Sequence, residues 1–364
     1  MKPKKILIEI GHPAHVHLFK NLYWELLKKG WDGLFIAKDK DCVIDLLRTY
    51  QLPFELLGVN RKGVLNKILS LPVLAYKTWR IASQFKPDIF VSRVSPFSGY
   101  ASFILRKPHI TFTDTENVKL LDFISEPFAD IVLSSTSYLR EHGKKHLRYP
   151  GYHELAYLHP KRYQGDQNIY KSLGLNKNEK YAIIRFVSWT AHHDIGIEGI
   201  SKENKLKLVK ELSKIIRIFI SSEEQLPPDL EKYQIKIKPE QMHDVLNFAQ
   251  LYVGESVTMA SECAILGTPT IVFIENRIYG VVIEQYAYGL LDILPLEQPD
   301  IDKCIKIAQD LISSNNPKQK QAKKRQKMLQ QKIDVSSFMV WLIENYPESI
   351  DFVKGNKVNW SDFR

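Results

Sequence analysis

A chain of 364 residues with 44% hydrophobic and 25% charged residues is too long for one small core and too apolar to be disordered, so two globular domains are expected. Its three scattered cysteines, Cys42, Cys263 and Cys304, form no CxxC pair, which excludes a disulfide framework and a cysteine zinc site and suits a reducing cytosol. No apolar run reaches the roughly 18 residues that span a bilayer, "MKPKKILIEIG" carries Glu9 in too short a run for a secretory signal, and 51 basic against 41 acidic residues predict an anionic partner.

"KKILIEI" is a short apolar run ending at Gly11 and predicts a buried strand. Val16, Phe19, Leu22, Tyr23, Leu26 and Leu27 then recur at helical spacing until Gly30, which predicts a helix that stops there. "GLFIA" predicts a second strand, "DCVIDLLRTY" a helix and "PFELLG" a third strand. A long helix follows over 64–85, with an interruption expected at Pro72. "PDIFVS", "HITFTD" and "ADIVLSS" predict further buried strands separated by short helices. Apolar strands alternating with helices mean a parallel, doubly wound sheet.

"YPGYHELAYLHPKRYQGDQ" breaks this rhythm with Pro, Gly and aromatic residues. A first domain over 1–150 and a linker over 151–178 are therefore expected. The alternation then restarts. "KYAIIRFVS" predicts a strand, 206–215 an amphipathic helix, "RIFIS" and "YQIKI" strands, "PEQMHDVLNFAQ" a helix, and "LYVGES" a strand running into a turn. A helix over 259–266 and a strand over "PTIVFI" complete a second domain expected over 179–333. "DVSSFMVWLIENY" has helical spacing at Val335, Phe338, Met339 and Leu342, and predicts a C-terminal helix and tail over 334–364 that packs back on the first domain.

"LYVGESVTMASECAILGTPTIVFI" is the most informative stretch. Gly254 closes a strand, and Ser256 and Thr258 are both caps for the helix that begins there. Such a helix start offers unpaired backbone N–H groups and the positive end of a dipole to a diphosphate. Glu262 lies one turn in, where a carboxylate accepts both hydroxyls of an attached ribose. An ordinary capped βαβ unit gives the same spacing. What distinguishes the two readings is a carboxylate between Ser261 and Cys263 on an apolar helix, which needs a partner.

GESxTMxxExxxLGTP between two strands resembles the nucleotide-sugar site of GT-B glycosyltransferases, with the MurG type and the UDP-N-acetylglucosamine 2-epimerases as its well-known relatives. "HPAHVHLFKNL", "TDTEN", RFVSWxAHHDxG and GESxTMASExxxLGTP together resemble a GT-B-like family of bacteria and archaea whose activity is only inferred. The resemblance runs from Ile6 to about Tyr346. It implies an α/β, GT-B-like fold, with two Rossmann-like doubly wound domains facing each other across a cleft, the first on the acceptor side and the second holding the nucleotide sugar. Gly254, Glu255, Ser256, Thr258 and Glu262 fall on the donor's diphosphate and ribose. Arg185 and Ser188 fall beside the phosphates, His243 over the base, and Glu284 and Gln285 at the sugar hydroxyls. "GHPAHV" lies over the MurG-type loop and puts His15 at that family's histidine, although His12 and Pro13 stand where the relative has glycines. Glu116 matches the catalytic Glu of the epimerases, whose following acidic "PEE" is absent here, and Asp114 precedes it.

The histidines admit other roles. On a helix His15 and His17 point about 200° apart, so they do not share one ion. His12 and His15 can do so with a carboxylate from elsewhere, or one of them caps the helix. His192, His193 and Asp194 only loosely match the epimerases' His-Arg motif, and a hydrogen-bonded loop brace fits them equally. No metal and no cofactor is expected beyond the nucleotide sugar as co-substrate.

The activity expected is a metal-independent, NDP-sugar-dependent glycosyltransferase, most simply a UDP-sugar one acting in glycan or glycolipid assembly. A non-hydrolysing UDP-N-acetylglucosamine-type 2-epimerase and a non-catalytic sugar-nucleotide-binding protein are the alternatives. The acceptor expected is a glycan or a lipid-linked one. The segment 59–87 carries six basic residues and no acid among apolar side chains and Trp79, which predicts binding to an anionic membrane surface. Lys318 to Lys332 holds seven more basic residues. No aromatic-basic signature of nucleic-acid binding is present, so no nucleic-acid partner is expected. The location expected is cytoplasmic, at the inner face of the cell membrane.

Overall fold

The computed structural model describes residues 4–59, 64–117, 119–187, 199–275, 279–314 and 316–364. They form two compact units, Met1–Arg162 with Lys332–Arg364, and Tyr163–Gln331.

The first unit runs β1 (Lys5–Ile10), α1 (Pro13–Lys28), β2 (Asp32–Asp39), α2 (Val43–Thr49), β3 (Phe54–Val59), α3 (Val64–Phe85), β4 (Ile89–Arg93), α4 (Pro96–Leu105), β5 (His109–Phe112), α5 (Lys119–Ser125), β6 (Ile131–Ser135), β7 (His146–Tyr149) and α6 (Leu155–Leu158). Its seven strands pair in parallel in the order β3-β2-β1-β4-β5-β6-β7. Strands such as β1, β4 and β5 are continuous apolar runs because helices cover both faces of a parallel sheet; Leu7, Ile8, Phe90 and Phe112 are fully buried. Strand order reverses between β1 and β4, and α/β sheets bind ligands beyond the carboxyl ends at such a point.

Three expectations change here. Helix α3 runs straight through Pro72, which is exposed. A proline on the solvent side costs one backbone hydrogen bond, and the helix survives where packing holds the turns around it; Leu74, packed against the core of this unit, does that. Strand β7 comes from "HLRY", too short and too charged to stand out as a strand. The expected linker over 151–178 is corrected at its start: 151–162 belongs to the first unit. Its aromatic and aliphatic residues are core, with Tyr152, Leu155 and Leu158 fully buried, and the Ala156 carbonyl accepts from Asn21 at 2.7 Å and Ser336 at 2.6 Å.

The second unit runs α7 (Ile169–Ser172), β8 (Tyr181–Phe186), α8 (Lys202–Leu212), β9 (Arg217–Ser222), α9 (Pro228–Glu231), α10 (Met242–Phe248), β10 (Leu251–Gly254), α11 (Val257–Leu266), β11 (Thr270–Ile274), α12 (Gly280–Ala287), β12 (Asp292–Pro295), α13 (Ile301–Ser313) and α14 (Pro317–Leu329). Its parallel sheet has the order β12-β11-β10-β8-β9. "YQIKI" is not a strand. Among the described residues it touches the sheet through the single bridge between Ile220 and Gln234, and its alternating Tyr233, Ile235 and Ile237 are only half-buried.

The basic helix α14 lies across the ends of three others. Lys318 donates to the Asn247 carbonyl of α10, Arg325 to the Ile265 carbonyl of α11, and Lys324 to the Gly289 carbonyl just past α12 at 2.7 Å. Side-chain cations are favourable at helix carboxyl ends, where the last carbonyls lack partners. The chain then returns to the first unit through α15 (Val335–Glu344) and α16 (Glu348–Lys354). Val335, Phe338, Met339 and Leu342 are fully buried, and Arg162 fixes Asp334 at the start of α15 at 2.7 Å.

Candidate functional site

In the second unit, buried β10 delivers Gly254 to a turn where only glycine fits. A Cβ there would lie 2.7 Å from the Tyr252 hydroxyl and 2.8 Å from the Arg185 carbonyl. Ser256 is the N-cap of α11, its hydroxyl accepting from the Met259 N–H at 3.3 Å, and no acid stands in the first turn. Thr258 is exposed on that turn. Glu262 follows, 5% exposed, with Oε1 3.1 Å from Nε2 of His243 on α10. The carboxylate that needs a partner therefore has one, and His243 holds it in place. The site is a helix start with an anion-attracting field and a fixed carboxylate one turn beyond.

Other residues assigned to this site are engaged elsewhere. Glu255 accepts from the N–H groups of Val187 at 3.1 Å and Ile200 at 2.6 Å, so its carboxylate fixes backbone. Arg185 donates to Ser221 at 2.7 Å and Glu223 at 2.5 Å. Gln285 is fully buried and donates to Ser261 at 2.8 Å, tying α12 to α11. Glu284 is half-buried on α12. Ser188, His192, His193 and Asp194 lie outside the described residues. Beyond the carboxyl ends of β11 and β12 is a pocket of about 590 Å³, lined by Ile274, Glu275, Tyr279, Val282, Ile293 and Glu297 among others.

The first unit assembles a charged cluster from four strand ends. Arg93, last residue of β4, pairs with Asp114 beyond β5, donates to Thr115 at 2.9 Å and lies 3.2 Å from Nε2 of His15. His15 Nδ1 faces the Gly11 N–H at 3.2 Å. Nitrogen donors face both ring nitrogens of His15, and burial together with the Arg93 charge pulls its pKa well below the usual imidazole range, which favours the neutral ring, able to accept at only one of them. The second oxygen of Asp114 lies 2.8 Å from Nδ1 of His153, beyond β7. His153 is likewise pulled well down by burial and by Arg93.

The other early candidates separate. Glu116 is 5% exposed and accepts from the Leu139 N–H at 3.4 Å, away from the partners of Asp114. His12 is the N-cap of α1 and accepts from Ala14 at 3.2 Å. His17 packs between Tyr50 and Tyr157 at ring distances of 5.8 and 5.4 Å. Among the described residues, the three side chains with ligand atoms close enough for a metal are Asp122, Glu126 and His142. Arg140 already pairs with Asp122, and His142 bonds both Glu126 and the Tyr138 hydroxyl, so this group is complete as a hydrogen-bonded network.

Residues 4–341 match the family described as "Protein of unknown function (DUF354)". The chain belongs to that family. Over 287 residues it is 23% identical to the uncharacterized protein MJ0665 of Methanocaldococcus jannaschii, covering 76% of this chain and 83% of that one. A crystal structure of UDP-N-acetylglucosamine 2-epimerase superposes with a TM-score of 0.66 at 14% identity, over 98% of this chain and 97% of that one. The spinosyn rhamnosyltransferase SpnG complexed with thymidine diphosphate superposes at 0.62 and 13%, over 94% and 100%. This family member therefore has the GT-B fold.

Two residues of the first cluster have no counterpart among the sequence candidates, Arg93 and His153. Arg93 had one signal, a cation directly ending the apolar run "PDIFVSR". His153 sat in the stretch taken for a linker.

Proposed function

We propose that this chain is a nucleotide-sugar-dependent glycosyltransferase. The observation that carries the reading is the start of α11: Gly254 and Ser256 before a first turn that holds no acid, the preceding Glu255 carboxylate taken up by the Val187 and Ile200 N–H groups, and Glu262 fixed by His243 one turn on. The helix end stabilises the departing diphosphate through preorganised dipoles, and Glu262 takes the ribose hydroxyls. The donor is a UDP- or TDP-sugar, in keeping with the UDP and thymidine diphosphate bound by proteins of similar fold. A base from the first unit activates the acceptor hydroxyl; the resemblance nominates His15, with Glu116 and Asp114 as the other candidates. Phosphates meet the backbone of α11, while Arg185 and Glu255 position the strand ends around it.

Incubation with UDP-sugars, following free UDP, tests this. Acceptor-dependent release supports the transferase. Formation of a second UDP-sugar without release supports a 2-epimerase, the reading favoured by the 0.66 superposition on that enzyme. Binding with neither outcome leaves a sugar-nucleotide-binding protein.

The acceptor proposed is lipid-linked, reached at an anionic membrane surface through α3. Leu71, Val73 and Tyr76 are 40%, 55% and 59% exposed there, with Arg80 and Lys86 exposed nearby. Among the described residues no helix is long and apolar enough to cross a membrane, so the contact proposed is peripheral, on the cytosolic face. Flotation with anionic vesicles at low salt should carry the protein up, and salt should release it. Failure to float would remove the membrane from the proposal.

A further inference from the structure

The connections β9 to β10, β10 to β11 and β11 to β12 step the same way along the second sheet, whose order is β12-β11-β10-β8-β9. Right-handed crossovers therefore set α10, α11 and α12 side by side on one face, in that order. The side chains agree. His243 of α10 reaches Glu262 of α11 from one side, and Gln285 of α12 reaches the adjacent Ser261 from the other. A ribose held by Glu262 thus lies on the α10 side of the helix start, and a group joined to the far phosphate extends toward α12. On that side, beyond the carboxyl ends of β11 and β12, opens the cavity of about 590 Å³.

The wall of this cavity is mostly apolar. Ile274 and Val282 are buried beneath it, and Ile283 and Ile293 stand 50% and 37% exposed on it beside Pro295. Glu275 and Glu297 add carboxylates at its edge, and the Tyr279 hydroxyl donates to Glu275. A carboxylate accepts from several donors at once, so the hydroxyls of a sugar meet acceptors here. Neither Glu284 nor Gln285, which the sequence resemblance sets at those hydroxyls, lines the cavity.

We propose that this cavity receives the donor's sugar, and that its apolar wall selects a sugar bearing a methyl-ended substituent, a 6-deoxy carbon or an N-acetyl group, over a fully hydroxylated hexose. The proposal rests on the nucleotide-sugar reading of α11. A hydroxyl of a plain hexose turned toward Ile274, Val282 or Ile293 leaves water without gaining a partner, which is penalised. A methyl in the same place takes apolar area out of water on both partners and is favoured. Hydrophobic pockets separate ligands that differ by one such group by roughly 10- to 200-fold. Both substituents offer the same chemistry to the wall, and donors sharing one nucleotide tell them apart.

Calorimetry on the full-length chain compares UDP-N-acetylglucosamine with UDP-glucose, and TDP-6-deoxyglucose with TDP-glucose, beside UDP and TDP alone. At least one methyl-bearing donor is expected to bind about tenfold or more tighter than its hydroxylated counterpart, and the pair that shows the gap identifies the substituent. Val282→Thr puts a hydroxyl into the wall and should cut that gap to within about threefold, while UDP and TDP affinities stay within about twofold. Ile293→Asn, at a half-open position of the edge strand, should act in the same way without disturbing the core. Nucleotide binding with a gap short of about fivefold in both pairs, or a gap that both folded variants keep, overturns the proposal and leaves the nucleotide reading standing. Absence of UDP and TDP binding counts against the nucleotide reading, and the cavity is then probed directly. The carbon-13 methyl resonances of Ile274, Ile283 and Ile293 should shift with methyl N-acetylglucosaminide or methyl 6-deoxyglucoside and not with methyl glucoside. No shift, or equal shifts with all three, overturns the proposal.

Discussion

Both units place charged groups beyond the carboxyl ends of a parallel sheet, by opposite means. In the second unit nearly everything lies between Gly254 and Glu262, in one strand-to-helix turn, and His243 alone comes from another helix. In the first unit Arg93, Asp114, His15 and His153 come from four strand ends and answer one another's charges. The first arrangement keeps a field directed outward at a ligand. The second closes its charges into a network whose parts depend on each other. Removing a residue should therefore weaken binding in one unit and folding in the other.

The largest effect is expected at Asp114. Asp114→Ala leaves the Arg93 guanidinium and the His153 ring without their carboxylate; breaking a fully buried pair on one side costs roughly 3–5 kcal/mol, and with both side chains 22% exposed about 3 kcal/mol is expected. Urea unfolding of the variant measures this, and a loss under about 1 kcal/mol would mean the cluster is not interdependent. Next is Glu262→Ala, which removes two hydrogen bonds to a charged group and should weaken UDP binding by roughly 2–4 kcal/mol. The stability loss should be smaller than that of Asp114→Ala, about 1–2 kcal/mol, because the buried hydrogen bond to His243 goes with it. Unchanged UDP affinity in the folded variant would erase the contrast between the units.

A pH experiment sharpens it. An unfolded histidine titrates near 6.5, whereas burial pulls His109, bonded to Ser92 at 2.8 Å, down to about 4. Between those values the unfolded chain binds more protons than the folded one. Stability is therefore whole above about pH 6.5 and falls as pH drops toward 4. His109 alone should account for roughly 2 kcal/mol between pH 7 and pH 5, with His15 and His153 acting in the same direction. Denaturant midpoints at the two pH values, for wild type and His109→Gln, test this; equal slopes with pH would reject it. The smallest effect is at Ser256. Ser256→Ala removes the cap of α11 and should cost about 1 kcal/mol, measured by the same unfolding curves, with UDP affinity falling only slightly because the backbone N–H groups remain.

The alternation of apolar strands and helices carried the doubly wound fold, because a sheet buried on both faces writes its strands as continuous apolar runs. It did not carry β7, whose "HLRY" lies on an edge, nor the burial of 151–162, where Pro and Gly masked a small aromatic core. The α11 site was legible because its geometry is local. The residue that fixes Glu262 was visible only as a histidine near a helix start. Arg93 and His153 stayed hidden for the converse reason. They are 60 residues apart in the sequence, and each reads as an ordinary polar residue until the sheet order brings β4, β5 and β7 to one side of the cluster.

The cations of α14 bear on the α11 site from a distance. Helix α11 has ten residues, so its two ends stand about 15 Å apart. By itself it is a dipole, and at the site the negative pole subtracts from the positive one. Arg325 on the Ile265 carbonyl neutralises that far pole. What remains near Ser256 behaves as a partial positive monopole, whose potential falls off more slowly with distance. A diphosphate would feel it before any contact forms. Two of the engagements with helix ends take Lys318 and Arg325 out of the outward basic surface of α14, leaving Lys320, Lys323, Lys324 and Lys327 exposed. The chain's formal charge of +10 thus overstates the field it shows to a passing polyanion, because part of it is directed inward at helix ends.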